Sequence, residues 1–186
     1  MRWIWIIPLV LPMISVAQPG PYWAYGYGSI GDDRFTAIAK GPDASVYACG
    51  TFSGSMASPA GTVNSQGITD VFVVKMDTLG LVEWIRTGGG PGPDRCTDLA
   101  VDAAGNVAII GQFAFMTIEG TPLSSNGPSL DVFIARFNTD GDLLWARSAG
   151  SAQNTDIGEQ VSVTDLGEVY VAGQFSGTAL FGAIQV

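Results

Sequence analysis

The chain of 186 residues carries 17 acidic and 8 basic side chains, a formal charge of −9, 47% hydrophobic residues, 25 glycines, 2 cysteines and no histidine. Without imidazole there is no Ser-His-Asp or Cys-His nucleophile, no histidine-ligated zinc or haem and no histidine general base. The acidic excess argues against a surface that tracks nucleic-acid phosphates, while the apolar share suffices for a core and the glycines indicate tight turns rather than long helices.

Residues 1–17 begin with the positive Arg2, continue through an apolar run over residues 3–14 and end on the small residues Ser15 and Ala17. That order predicts a secretory signal peptide cleaved after Ala17. Pro8 and Pro12 leave the run too short and too broken to span a bilayer, and no later stretch would hold the chain in a membrane. The expected location is therefore outside the cell or on its surface.

From residue 18 onward the sequence repeats. Trp23, Trp84 and Trp145 are spaced by 61 and 61, Gly50, Gly111 and Gly173 by 61 and 62, and both Phe52, Phe113, Phe175 and Asp33, Asp94, Asp156 by 61 and 62. Whole segments follow the same period, Asp-Val-Phe-Val-Val-Lys-Met-Asp at 70–77 matching Asp-Val-Phe-Ile-Ala-Arg-Phe-Asn at 131–138. A fixed period of this length marks a repeat architecture.

Within one period the pattern predicts four strands, A to D, near residues 35–39, 46–52, 71–76 and 81–86. A and B are joined by turn chemistry at 41–45, 103–106 and 165–167, and C and D at 77–80 and 138–141. Only the B to C connection is long, over 53–70 and 114–130. Strands B and C mix apolar runs with alternation, so both faces of each unit are expected to be covered. Antiparallel four-stranded units that bury both faces can stack radially, with the recurring Trp between neighbours. The expected fold is all-β, an incomplete β-propeller of about 2.5–3 blades of roughly 61 residues. A β-sandwich is the alternative, but it has no reason to repeat at a fixed period.

The predicted organisation is a signal peptide over 1–17 and a repeat region over 18–186. The repeat region divides into an orphan D strand at 22–25, blade 1 at 26–87, blade 2 at 88–148 and a partial blade 3 at 149–186. Closing a ring would then need further blades, from a longer chain or another subunit. Cys49 and Cys96 stand at different repeat positions, and two small buried hydrophobes are as good a reading as a pair, so no disulfide is predicted.

An Asp five residues before Ile-Ala or Leu-Ala (Asp33 to Ile38-Ala39, Asp94 to Leu99-Ala100) is followed by Gly105-Asn106-Val107 and Gly111-Gln112-Phe113. Ser65-Gln66-Gly67 precedes Asp70-Val71-Phe72, and a turn leads on to Trp. In these residues, over nearly all of 22–186, the chain resembles the bacterial SBBP family, named for seven-bladed β-propeller repeats. The resemblance implies a secreted or surface protein, often large, and no particular enzyme activity. The first copy departs at Ala44-Ser45, where Gly-Asn is expected, and the third at Ile157-Gly158 and Val161-Ser162.

The remaining chemical motifs have plainer explanations. Gly26-Tyr27-Gly28-Ser29-Ile30-Gly31 spells a dinucleotide fingerprint but precedes a strand rather than a helix. The turns 77–80 and 138–141 leading to Trp84 and Trp145 also resemble the tryptophan-docking motif of quinoprotein propellers, a matter of packing. Asn138, Asp140 and Asp142 lack the spacing of a calcium hand. The in-phase acids Asp33, Asp94, Asp156, Asp70 and Asp131 are expected to cap turns. Lys75 with Arg136, and Arg86 with Arg147, read as surface charge and edge protection. The acids that break the repeat, Asp32, Asp98, Glu119 and Glu159, are the better functional candidates, yet no residue is singled out as catalytic, cofactor-binding or metal-ligating. The expected function is a non-catalytic scaffold or binding module for protein or glycan partners, without nucleic acid. The alternative is the N-terminal part of a propeller hydrolase or lyase whose acids lie mostly elsewhere, with a quinone-dependent oxidoreductase more distant.

Overall fold

The computed structural model describes residues 25–181, 184 and 185. The expected signal peptide, Trp23 and most of the orphan D strand lie outside them. Every regular element among the described residues is a β-strand, and no helix there is long and apolar enough to cross a membrane.

The first unit comprises β1 (Arg34–Lys40), β2 (Val46–Phe52), a short hairpin of β3 (Ser55–Ser58) and β4 (Gly61–Asn64), then β5 (Asp70–Met76) and β6 (Val82–Gly89). The second repeats it as β7 (Arg95–Val101), β8 (Val107–Phe113), the hairpin β9 (Phe115–Ile118) and β10 (Thr121–Ser124), β11 (Asp131–Phe137) and β12 (Leu143–Ser151). The third supplies β13 (Ile157–Val163), β14 (Val169–Gln174), β15 (Ala179–Phe181) and β16 (Ile184–Gln185). The pairing is antiparallel throughout these ladders, in the order β1-β2-β5-β6 and β7-β8-β11-β12, and no sheet closes on itself.

The period-borne glycines have a single structural cause. In each unit the A strand carries a bulge, between Phe35 and Ala37, Cys96 and Asp98, and Gly158 and Gln160. Opposite the residue that opens each bulge stands Gly50, Gly111 or Gly173. The bulged strand bends toward its partner, so a Cβ on these glycines would overlap the carbonyl oxygens of Arg34, Arg95 and Ile157 respectively.

Units stack face to face: β7 packs on β1 and β2, and β13 on β7 and β8. Alternate residues of one strand serve opposite faces. Val107 and Ile109 join Tyr47, Val73 and Trp84 in the layer between the first two units, while Ala108 and Ile110 join Val161 in the layer beneath the third. This two-sided burial is why β5 and β11 read as apolar runs.

The long B to C connection is not a loop. It holds short hairpins, polar on one side: β3 and β4 pair only with each other, whereas β9 leaves its own unit and pairs with β6, Gly88 opposite Ile118 and Gly89 opposite Thr117. β15 does the same on β12. The turn signal was present, since Glu119 (φ 46°) and Gly120 (φ 77°) form the two left-handed positions of a tight hairpin. Ala44, where the first copy departs from Gly-Asn, holds the left-handed conformation (φ 64°) that Gly105 adopts at the equivalent turn.

Candidate functional site

Stacking one A strand on the next brings the starts of β1 and β7 together. Between them lies a polar cleft of about 260 Å³, lined by Asp32, Asp33, Arg34, Thr36, Thr51, Thr69 and Arg95. Arg34 and Arg95 occupy the same repeat position on adjacent strands and form no ion pair among the described residues. Thr51 lines one wall, but its hydroxyl is buried and makes no hydrogen bond among the described residues. Asp33 is committed instead to the preceding loop, accepting from the Ser29 amide and hydroxyl.

Of the acids that break the repeat, only Asp32 lies in this cleft. Asp98 accepts the Val161 amide at 2.9 Å and so serves the contact with the third unit. Glu119 sits in the outer hairpin turn, 4.0 Å from Arg86, and Glu159 accepts from Gln174 on β14. The structure does not converge these four.

The in-phase acids cap turns. Asp94 accepts from the Gly90 amide at 2.9 Å and the Ala114 amide at 3.2 Å, and Asp156 from Ser151 (2.5 Å) and Ser176 (2.9 Å). Each also ties its unit to the previous one through the backbone, Asp94 N to Thr69 O and Asp156 N to Leu130 O, both 2.8 Å. Asp70 and Asp131 accept from Gln66 and Asn126. Asn138 is likewise spent on its own turn, accepting from Asp140 and Asp142, and the 26–31 segment leads into β1 without a helix.

Two of the in-phase cations correct the surface-charge expectation, while Arg147 is exposed and donates to the neighbouring Ala146 carbonyl. Lys75 and Arg136 are largely buried, because each reaches across to the next unit. Lys75 contacts Thr139 Oγ1 at 3.4 Å and Glu83 at 3.0 Å. Arg136 donates to Gly167 O and pairs with the buried Asp102. Burial works to raise the Asp102 carboxyl, but hydrogen bonds from Asn106 and Ala104 together with Arg136 outweigh it and hold the group below its ordinary range. Trp84 Nε1 donates to Thr139 O at 3.0 Å, and Arg86 Nε to Gly141 O at 2.8 Å. The C to D turn of the second unit is thus the socket for the D strand of the first.

Burial, aided by the neighbouring Asp70 charge and opposed by the Ala114 and Gly90 amides, pushes the Asp94 carboxyl from 3.8 up to about 7. Its folded form therefore keeps a proton that the unfolded chain gives up. The stability brought by that proton is fully present below the unfolded value near 4 and is gone once pH has risen past about 7. Urea midpoints measured between pH 5 and pH 8 are expected to fall with rising pH, Asp94 contributing on the order of 2 kcal/mol. Asp94→Asn should flatten the slope; an unchanged slope would remove Asp94 as its source.

Compared with family models and with curated proteins, the chain matches none.

Proposed function

We propose that the chain is an exported or cell-surface β-propeller repeat protein whose four-stranded units act as blades, and that it serves as a non-catalytic scaffold or binding module for protein or glycan partners. Stacking about one axis is supported by the two junctions, which use the same repeat positions: the same acids cap them and the same cations bridge them. The SBBP resemblance and the leader over residues 1–17 support export.

The observation that carries the binding reading is the cleft between β1 and β7. Two guanidinium groups without ion pairs among the described residues, together with the Asp32 carboxylate, offer donors and acceptors suited to a sugar or an acidic side chain. The fully buried Asp94 and Asp156 are already committed to backbone amides, which favours binding over hydrolysis. Screening the full chain against neutral and uronic-acid oligosaccharides and acidic peptides is expected to give a ligand whose affinity falls about tenfold or more in Arg95→Ala. Ligands held equally by both proteins would take the cleft out of the proposal, and Asp32-dependent turnover of a glycan would favour the hydrolase.

A further inference from the structure

We propose that Cys49 and Cys96 form a disulfide that locks the first unit to the second. Cys49 lies on β2 and Cys96 on β7, the strands that face each other across the first junction, and both are fully buried free thiols. Both side chains belong to the buried layer between the first two units. The second junction supplies an independent measure of the geometry. There the same two repeat positions hold Ile110 and Gly158, and a Cβ on Gly158 would stand 2.5 Å from Ile110 Cγ1. The backbone therefore brings these positions into the close side-chain approach that a disulfide demands. Their different places in the repeat are the reason they meet, since strand B of one unit faces strand A of the next.

The reaction needs a disulfide donor, such as oxidised glutathione or an oxidised thiol-disulfide oxidoreductase. One protein thiolate attacks a donor sulfur and expels one donor thiol. The second protein thiolate then attacks the mixed disulfide and expels the other. Two electrons pass from the cysteines to the donor, and the two cysteine protons end on the two released thiols. Burial drives the Cys96 thiol well above its ordinary pKa, so bond formation belongs to folding, before the junction shuts. Meeting such a donor in the cell rests on the export reading; the geometry does not.

The test refolds the reduced full chain from urea in a mixture of reduced and oxidised glutathione, alkylates remaining thiols under denaturing conditions and maps the peptides. The map is read on soluble and pelleted protein alike. The expected result is soluble monomer with both cysteines protected from alkylation, the peptides bearing Cys49 and Cys96 joined, and a urea midpoint above that of the chain kept reduced. Alkylatable cysteines, glutathione adducts alone, links between chains, or pairing confined to the pellet would overturn the proposal. A second variant, Cys49→Ser/Cys96→Ser/Ile110→Cys/Gly158→Cys, moves the pair to the second junction and should join there; a variant that shows the parent's cooperative urea transition with both cysteines still alkylatable would refute the geometric argument. Pairing in buffer with free thiols in protein recovered from an expressing bacterium would reject export and leave the pair standing.

Discussion

Trp84→Ala is expected to cost about 3–5 kcal/mol of folding free energy, the range for emptying a buried aromatic site. Trp84 is 7% exposed in the layer between the first two units. Its ring meets Tyr47 edge-on, with centroids 6.0 Å apart, and carries Arg86 at 5.6 Å. Its Nε1 also supplies a 3.0 Å bond to the Thr139 carbonyl. Alanine would open a cavity and leave that carbonyl without this donor, so the loss combines packing and polar terms. Trp145 holds the same repeat position but is only partly buried against its layer, and Trp145→Ala should cost about half as much. Urea unfolding of the two variants checks the order; equal losses under about half a kcal/mol would contradict burial between units.

The second large effect is expected at Gly111. A Cβ there would run into the Arg95 carbonyl oxygen and stand 2.7 Å from the Phe133 ring. The ring is fully buried, and the carbonyl belongs to the A strand at its bulge, so neither can retreat without shifting backbone. Gly111→Ala should destabilise by about 3 kcal/mol or more, the upper end for overpacking. Gly26→Ala, where a Cβ meets nothing within 4 Å, should stay within about 0.5 kcal/mol of the parent. Comparable losses in both would mean that the cost at Gly111 does not come from the bulge.

The period was legible because it is written in residues that only one geometry tolerates. A glycine facing a bulge, a tryptophan filling a socket and an aspartate capping the entry to strand A cannot drift without cost. Strands A to D followed from the same register, and the structure gives them bounds close to those read from the pattern. The hairpins within 53–70 and 114–130 are not legible, because their strands are only four residues long, and β9 in addition takes its partner from another unit and presents Phe115 and Thr117 outward. The reach of Lys75 and Arg136 into the next unit escaped for the same reason: a cation within an apolar strand does not announce where its head goes. The cleft was invisible, since Arg34, Thr51, Thr69 and Arg95 come from two units and share no local motif. Asp32 was visible as a departure from the repeat but not as a neighbour of Arg95.

The strands that the second and third units lay on their predecessors bear on cooperativity. In a simple stack, neighbours touch through side chains, and a terminal unit can melt alone at the cost of one interface. Here β9 and β10 extend the ladder of β6, so part of the first unit's hydrogen bonding is closed by chain that belongs to the second. Neither unit has a complete edge until the other is in place, and the exposed margin of one is converted into interior by the next. The units should therefore behave less like beads than like interlocked slats. The longest connection in each repeat, ordinarily the place where a chain best accepts an insertion or a cut, is the part that fastens the row together.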